Sequence, residues 1–134
     1  MSLFYNSTIA RVTNFAPLSN RKTMKLNHLN LAVTDVHIAV AFLEKYFGLI
    51  NQGTDDKMGF LTDDNGTLIS LMKASDPKYP GSFHIGFMQE SEEKVNEINA
   101  RLKNDGYKVP PPKRAHGWTF YFEAPGGYTI EVLC

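Results

Sequence analysis

Two histidines and one glutamate stand out by type and placement. His28 lies in KLNHLNLAV and His84 in SFHIGFM, each on the more polar side of an alternating run. Glu131, in GYTIE, holds the position that Ser70 holds in GTLIS. Imidazoles and carboxylates ligate divalent ions, transfer protons or hydrogen-bond a ligand. A lone strand histidine is more often a structural hydrogen-bonding residue, so placement at equivalent points carries the argument. Two readings stay open: a metal centre, or a metal-free cavity whose His and Glu bind each other or a guest. Tyr121 alternates with Phe120 and Phe122 and reads as a proton donor facing the cavity or as packing. His116 precedes it, as an acid/base group or a solvated loop histidine. Trp118 suits stacking on an aromatic ligand or burial, and Lys113 and Arg114 read as an attraction for an anionic substrate or as solvated charge. His37 falls in a helix's opening turn at the surface, and the terminal Cys134 has no evident role.

The elements that place these groups repeat. Lys25 to Val33 alternates as a strand. Thr34 and Asp35 then offer N-caps to a helix bearing Val36, Val40, Leu43 and Phe47, which Gly48 stops. Extended pieces follow at Leu49 to Gln52, Met58 to Thr62 and Thr67 to Lys73, the last two joined by the turn Asp64-Asn65-Gly66. The order restarts at Ser82 to Met88. Ser91 caps a helix with the stripe Val95, Ile98 and Leu102, acids at its start and bases at its end, as its dipole favours. Strands are expected at Tyr107 to Val109, Gly117 to Glu123 and Tyr128 to Leu133. Equivalent elements recur about 55–61 residues apart, the mark of duplicated supersecondary units. The predicted fold is α+β, two tandem βαβββ units whose curved mixed sheet wraps a cavity. The first unit spans residues 24–75 and the second 82–134 of a single domain over 24–134. Residues 1–23, basic and rich in hydroxyls, read as a poorly ordered leader or docking arm.

Composition narrows the function classes. Fourteen basic residues balance fourteen acidic ones within 134 residues, so neither nucleic acid nor an anionic membrane is an expected partner. With 43% hydrophobic and 12% aromatic residues the chain can build a core. Its single cysteine excludes an internal disulfide, and a reducing, cytoplasmic setting is expected.

The segments LNHLNLAVTDVHIAVAFLEKYFGL, FHIGF and FYFEAPGGYTIEV make the chain resemble the vicinal-oxygen-chelate superfamily, which includes glyoxalase I, bleomycin resistance proteins, fosfomycin-modifying enzymes and extradiol dioxygenases. The resemblance implies metal ligands at the first and last strand of each unit, positions holding His28, Ser70, His84 and Glu131. His28, His84 and Glu131 are the implied ligand set for one divalent ion, Fe, Mn, Zn, Ni or Co. Glu131 and Tyr121 are the implied catalytic groups, Glu131 also as a base freed from the metal. Ser70 departs from glyoxalase I, which carries an acid there, and Asn30 departs from the threonine of the fosfomycin enzymes. Tyr121, Pro125, Gly127 and Glu131 match part of the dioxygenase signature, with His116 the histidine nearest the expected place. The implied function is a glyoxalase- or dioxygenase-type metalloenzyme acting on a small oxygen-rich metabolite. The alternative is a metal-free drug- or metabolite-binding protein of the bleomycin-resistance kind. The implied assembly is a homodimer in which His28 faces His84 and Glu131 of the other copy.

Overall fold

The computed structural model describes residues 22–134, so the leader lies almost wholly outside the described residues. Strand β1 (His28–Val33) leads into α1 (Val36–Phe47), followed by β2 (Ile50–Thr54), β3 (Met58–Thr62) and β4 (Leu68–Lys73). The second unit runs β5 (Ile85–Met88), α2 (Glu92–Asn104), β6 (Lys113–Arg114), β7 (Trp118–Ala124) and β8 (Tyr128–Leu133). Each unit forms its own four-stranded mixed sheet, ordered β1-β4-β3-β2 and β5-β8-β7-β6, with the first and last strands of the unit parallel. The expected α+β architecture of two βαβββ units is the one observed, divided into two sheets.

Local chemistry sets the helix ends. The Asp35 carboxylate accepts from the Ile38 N–H at 2.9 Å, satisfying one of the donors a helix start leaves unpaired. Gly48, at φ 65°, lets the chain leave α1 in the left-handed region that a side chain disfavours. Ser91 caps α2 by accepting from Lys94 N–H at 3.3 Å.

One expected strand moves. Tyr107 to Val109 joins no sheet, because the Tyr107 N–H is taken by the Leu102 carbonyl at the end of α2. Pro110, Pro111 and Pro112 then carry no N–H at all, so the ladder begins only at Lys113, opposite Thr119.

The helix-bearing faces of the two sheets share one core. Leu31, Val33, Leu61 and Leu71 of the first sheet and Phe120, Phe122, Ile130 and Val132 of the second belong to one buried cluster with α1 and α2. Phe42 of α1 bridges the units, its ring centroid 6.0 Å from Phe122 and 5.3 Å from Tyr107. Lys45 and Asp105 close the same seam at 2.9 Å. Because the apolar faces are spent on each other, both polar faces lie outside this core. Among the described residues, no helix is long and apolar enough to cross a membrane.

Candidate functional site

The sheet registers show how far the repeat goes. In the first unit Asn30 of β1 stands opposite Ser70 of β4, and in the second Gly86 of β5 stands opposite Glu131 of β8. His28 and His84 each lie two residues before that pair. The equivalences expected from the sequence therefore hold by register, with His28 the first residue of β1 and His84 immediately before β5.

The second unit brings groups together around Glu131, which is only 5% exposed. Tyr121 of β7 is its cross-strand partner, and Thr119 lies two residues earlier on the same face. The fully buried Thr119 hydroxyl is 2.8 Å from Glu131 Oε1 and 3.1 Å from the Val132 carbonyl. His116 Nε2 lies 2.7 Å from the same Oε1 and donates to it. The other oxygen, Oε2, faces His84 Nε2 at 3.3 Å. Tyr121 directs its hydroxyl at the carboxylate and its ring meets His84 edge-on, centroids 5.2 Å apart.

These contacts settle protonation. Burial pushes the Glu131 carboxyl up, but hydrogen bonds from Tyr121, Thr119 and His116 outweigh it and hold the group below its ordinary value. Glu131 is therefore a carboxylate at neutral pH. Its negative charge in turn raises Tyr121: the hydrogen bond to Glu131, then burial, then charge repulsion push that phenol up to about 12. Tyr121 keeps its proton and acts as a donor.

His84 is also oriented. Its Nδ1 lies 3.0 Å from the Ser82 carbonyl, an acceptor only, so Nδ1 carries the hydrogen and Nε2 presents a lone pair in the neutral ring. A lone pair facing a carboxylate oxygen at 3.3 Å calls for a cation, either a proton or a metal ion. Two donors each about 2.1 Å from one ion stand about 3.0–3.4 Å apart at angles between octahedral and tetrahedral, so the pair fits a divalent metal. Among the described residues no group of three His, Cys, Asp or Glu side chains completes a metal site. His28 is exposed on the other sheet, its Nδ1 3.1 Å from the Asn27 side-chain oxygen, which likewise leaves Nε2 unengaged. Ser70 donates to Asn30 Oδ1 at 2.8 Å, a neutral pair where the second unit has its carboxylate.

The remaining candidates separate. His37 is exposed and sits 2.9 Å from Asp56, as expected of a surface residue. Trp118 is turned toward α2, where its Nε1 donates to Asn96 at 2.8 Å. Cys134 is half-buried, with its backbone paired to Trp118. Thr119 was not among the sequence candidates. The signal was present, since alternation along TFYFE puts Thr119 on the same face as Tyr121. The choice between a solvated and an engaged His116 needed the fold, because its partner lies 15 residues away on β8.

Comparison with known proteins identifies the family. A solved structure described as a possible glyoxalase from Bacillus cereus is 53% identical, with a TM-score of 0.80 over 84% of this chain and all of that one. The Listeria monocytogenes fosfomycin resistance protein FosX, solved in a mutant form with Mn(II) and 1S,2S-dihydroxypropylphosphonic acid, is 25% identical. Its TM-score is 0.71 over 84% of this chain and 93% of that one. The glutathione transferase FosA of Serratia marcescens is 29% identical over 111 residues, 80% of this chain and 78% of that protein. Residues 25–132 match the family model throughout, and the chain belongs to the Glyoxalase/Bleomycin resistance protein/Dioxygenase superfamily.

Proposed function

We propose that the protein is a divalent-metal enzyme of glyoxalase or dioxygenase type, acting on a small oxygen-rich metabolite at a site shared between two copies. His84 and Glu131 of one copy and His28 of the other hold the ion. The observation that carries this reading is the facing of His84 Nε2 and Glu131 Oε2 at 3.3 Å, each oriented from behind by a fixed hydrogen bond. FosX supports it as a relative solved with Mn(II) and a dihydroxy compound. When bound, the ion supplies Lewis acidity toward a substrate oxygen.

The chain's own residues do the rest. Thr119 and His116 anchor Oε1, so Oε2 is the oxygen left for the centre. Tyr121 holds a proton at its hydroxyl beside the carboxylate, placed to donate to an oxyanion formed on substrate. Gly86, opposite Glu131, adds no side chain, and even a Cβ there would stand 3.9 Å from Oε2. The space in front of the carboxylate stays open for substrate. A second reading, a metal-free binding protein, is favoured by the incomplete donor set of the single chain and by the neutral Asn30–Ser70 pair.

Complementation tests the shared site. The His28→Ala chain alone and the His84→Ala/Glu131→Ala chain alone are each expected to bind no Mn(II). Refolded together at equal amounts, they regain about one quarter of the wild-type metal per chain, since half of random dimers rebuild one of two sites. Metal retained in either variant alone, or none in the wild type after loading with each candidate ion, overturns the reading.

A further inference from the structure

The segment that joins β4 to β5 ends on His84, so whatever holds this segment also sets where that imidazole points. Its start is tied to the first sheet by the Ala74 N–H, which donates to the Val33 carbonyl at 2.8 Å. Its middle is tied by Tyr79. β1 is an edge strand, which leaves part of its carbonyls outside the ladder, and the Tyr79 hydroxyl donates to one of them, that of Ala32, at 2.6 Å.

Tyr79 also braces the turn before His84. Its ring stacks on Phe83, with centroids 4.8 Å and planes 20° apart, and both rings are half-buried against the shared core. The Phe83 N–H donates to the Pro80 carbonyl at 2.9 Å and closes the turn Pro80-Gly81-Ser82-Phe83. Ser82 is an inner residue of that turn, so the turn fixes the direction of its carbonyl. That carbonyl is the one 3.0 Å from His84 Nδ1. His84 and Ser82 are themselves exposed, and among the described residues the ring nitrogens have Ser82 and Glu131 as their polar partners. The orientation of an exposed ring thus depends on a half-buried tyrosine five positions earlier.

We propose that Tyr79 is a positioning residue for the metal centre: bonded to β1 and stacked on Phe83, it holds the Ser82 carbonyl against His84 Nδ1 and so aims Nε2 at Glu131. The inference rests on the reading of His84 as a ligand and adds the residue that orients it. Two anchors of different kinds act in series. The hydroxyl fixes Tyr79 to the first unit, and the ring face fixes the turn to Tyr79.

The test follows the His84 Nδ1–H by heteronuclear NMR in the full-length protein with chelator at neutral pH, the signal being assigned by its absence from His84→Ala. Nδ1 keeps its hydrogen on Ser82 whether or not Nε2 carries one too, so the signal reports the hold on the ring. The wild type is expected to show an exchange-protected Nδ1–H. Tyr79→Ala loses both anchors and speeds exchange about tenfold, the worth of one hydrogen bond. Phe83→Leu keeps apolar bulk, loses the stack and does the same, whereas Tyr79→Phe keeps the stack and speeds exchange only about threefold. Tyr46→Phe removes a different tyrosine hydroxyl bond, to Asp105 at the seam, and leaves the signal unchanged. In parallel, Mn(II) binding weakens about tenfold in Tyr79→Ala and returns to within about threefold of wild type in Tyr79→Phe.

A wild type without a protected Nδ1–H, unaltered protection in Tyr79→Ala and Phe83→Leu, an equal loss in Tyr46→Phe, or equal Mn(II) affinity of wild type and Tyr79→Ala overturns the proposal. The two readings fail separately. A Tyr79-dependent Nδ1–H in a protein that takes up no Mn(II) sinks the metal reading and leaves the hold on His84 standing. Mn(II) uptake with a signal indifferent to Tyr79 sinks the positioning role alone.

Discussion

The two units share a chain path and differ in what they place at one cross-strand position. In the first, Asn30 and Ser70 bond each other at 2.8 Å, a closed neutral pair. In the second, Gly86 and Glu131 occupy those places, and the carboxylate, with no side chain opposite it on β5, is bonded from other elements by His116 and Thr119. Duplication supplies the scaffold twice, while the carboxylate and its hydrogen-bond partners stand on one copy of it. A histidine remains on the first strand or just before it in both. The divided site proposed above needs that arrangement, with one imidazole contributed by the half that carries no acid.

The largest effect tests whether the halves are one folding body. Phe42 touches Phe122 and Tyr107 across the seam, so Phe42→Ala should cost about 3–5 kcal/mol, read from urea unfolding as a single transition. Two transitions would mean that the units unfold separately. Next, His84→Ala and Glu131→Ala should each weaken Mn(II) binding by about 100-fold or more, while Ser70→Ala leaves it within about threefold. An equal loss in Ser70→Ala would erase the asymmetry. Thr119→Val removes a buried donor to Glu131 Oε1 and should cost about 1–3 kcal/mol in the metal-free protein, against about 1 kcal/mol for Ser70→Ala.

The smallest effect is the pH dependence of the metal-free fold. Glu131 is lowered in the folded state, so its stabilisation is complete above the unfolded carboxylate value and is lost as pH falls through the folded one. Tyr121 is raised to about 12, so its contribution is complete below the unfolded value of 10.0 and fades as pH climbs from there toward 12. Chemical denaturation across pH should show both limbs in the wild type. Glu131→Gln should flatten both, because the carboxylate is the first cause of the Tyr121 shift. An unchanged alkaline limb in that variant would show that the phenol is held by something else.

Much of this was legible in the residues. Asp35, Gly48 and Ser91 signal helix ends by backbone chemistry that acts within a few residues, and each stands at a helix boundary in the fold. The repeat was legible because strand alternation and helical spacing are local patterns that duplication preserves. The strand expected at Tyr107 to Val109 was misplaced because a competing partner, the Leu102 carbonyl, becomes visible only once α2 has an end.

The amino-acid sequence by itself determined the element order, the α+β class and the face on which His28, His84, Tyr121 and Glu131 lie, since all follow from periodicities of two and 3.6 residues. Only the tertiary structure decided which of those groups meet. The shared core around Phe42 turns the polar faces outward and leaves His28 apart from Glu131, and strand pairing brings His116 and Thr119 onto one carboxylate oxygen. The same pairing separates Lys113, opposite Thr119, from Arg114, opposite Trp118. Contacts between residues distant along the chain depend on register and packing, which no local pattern encodes.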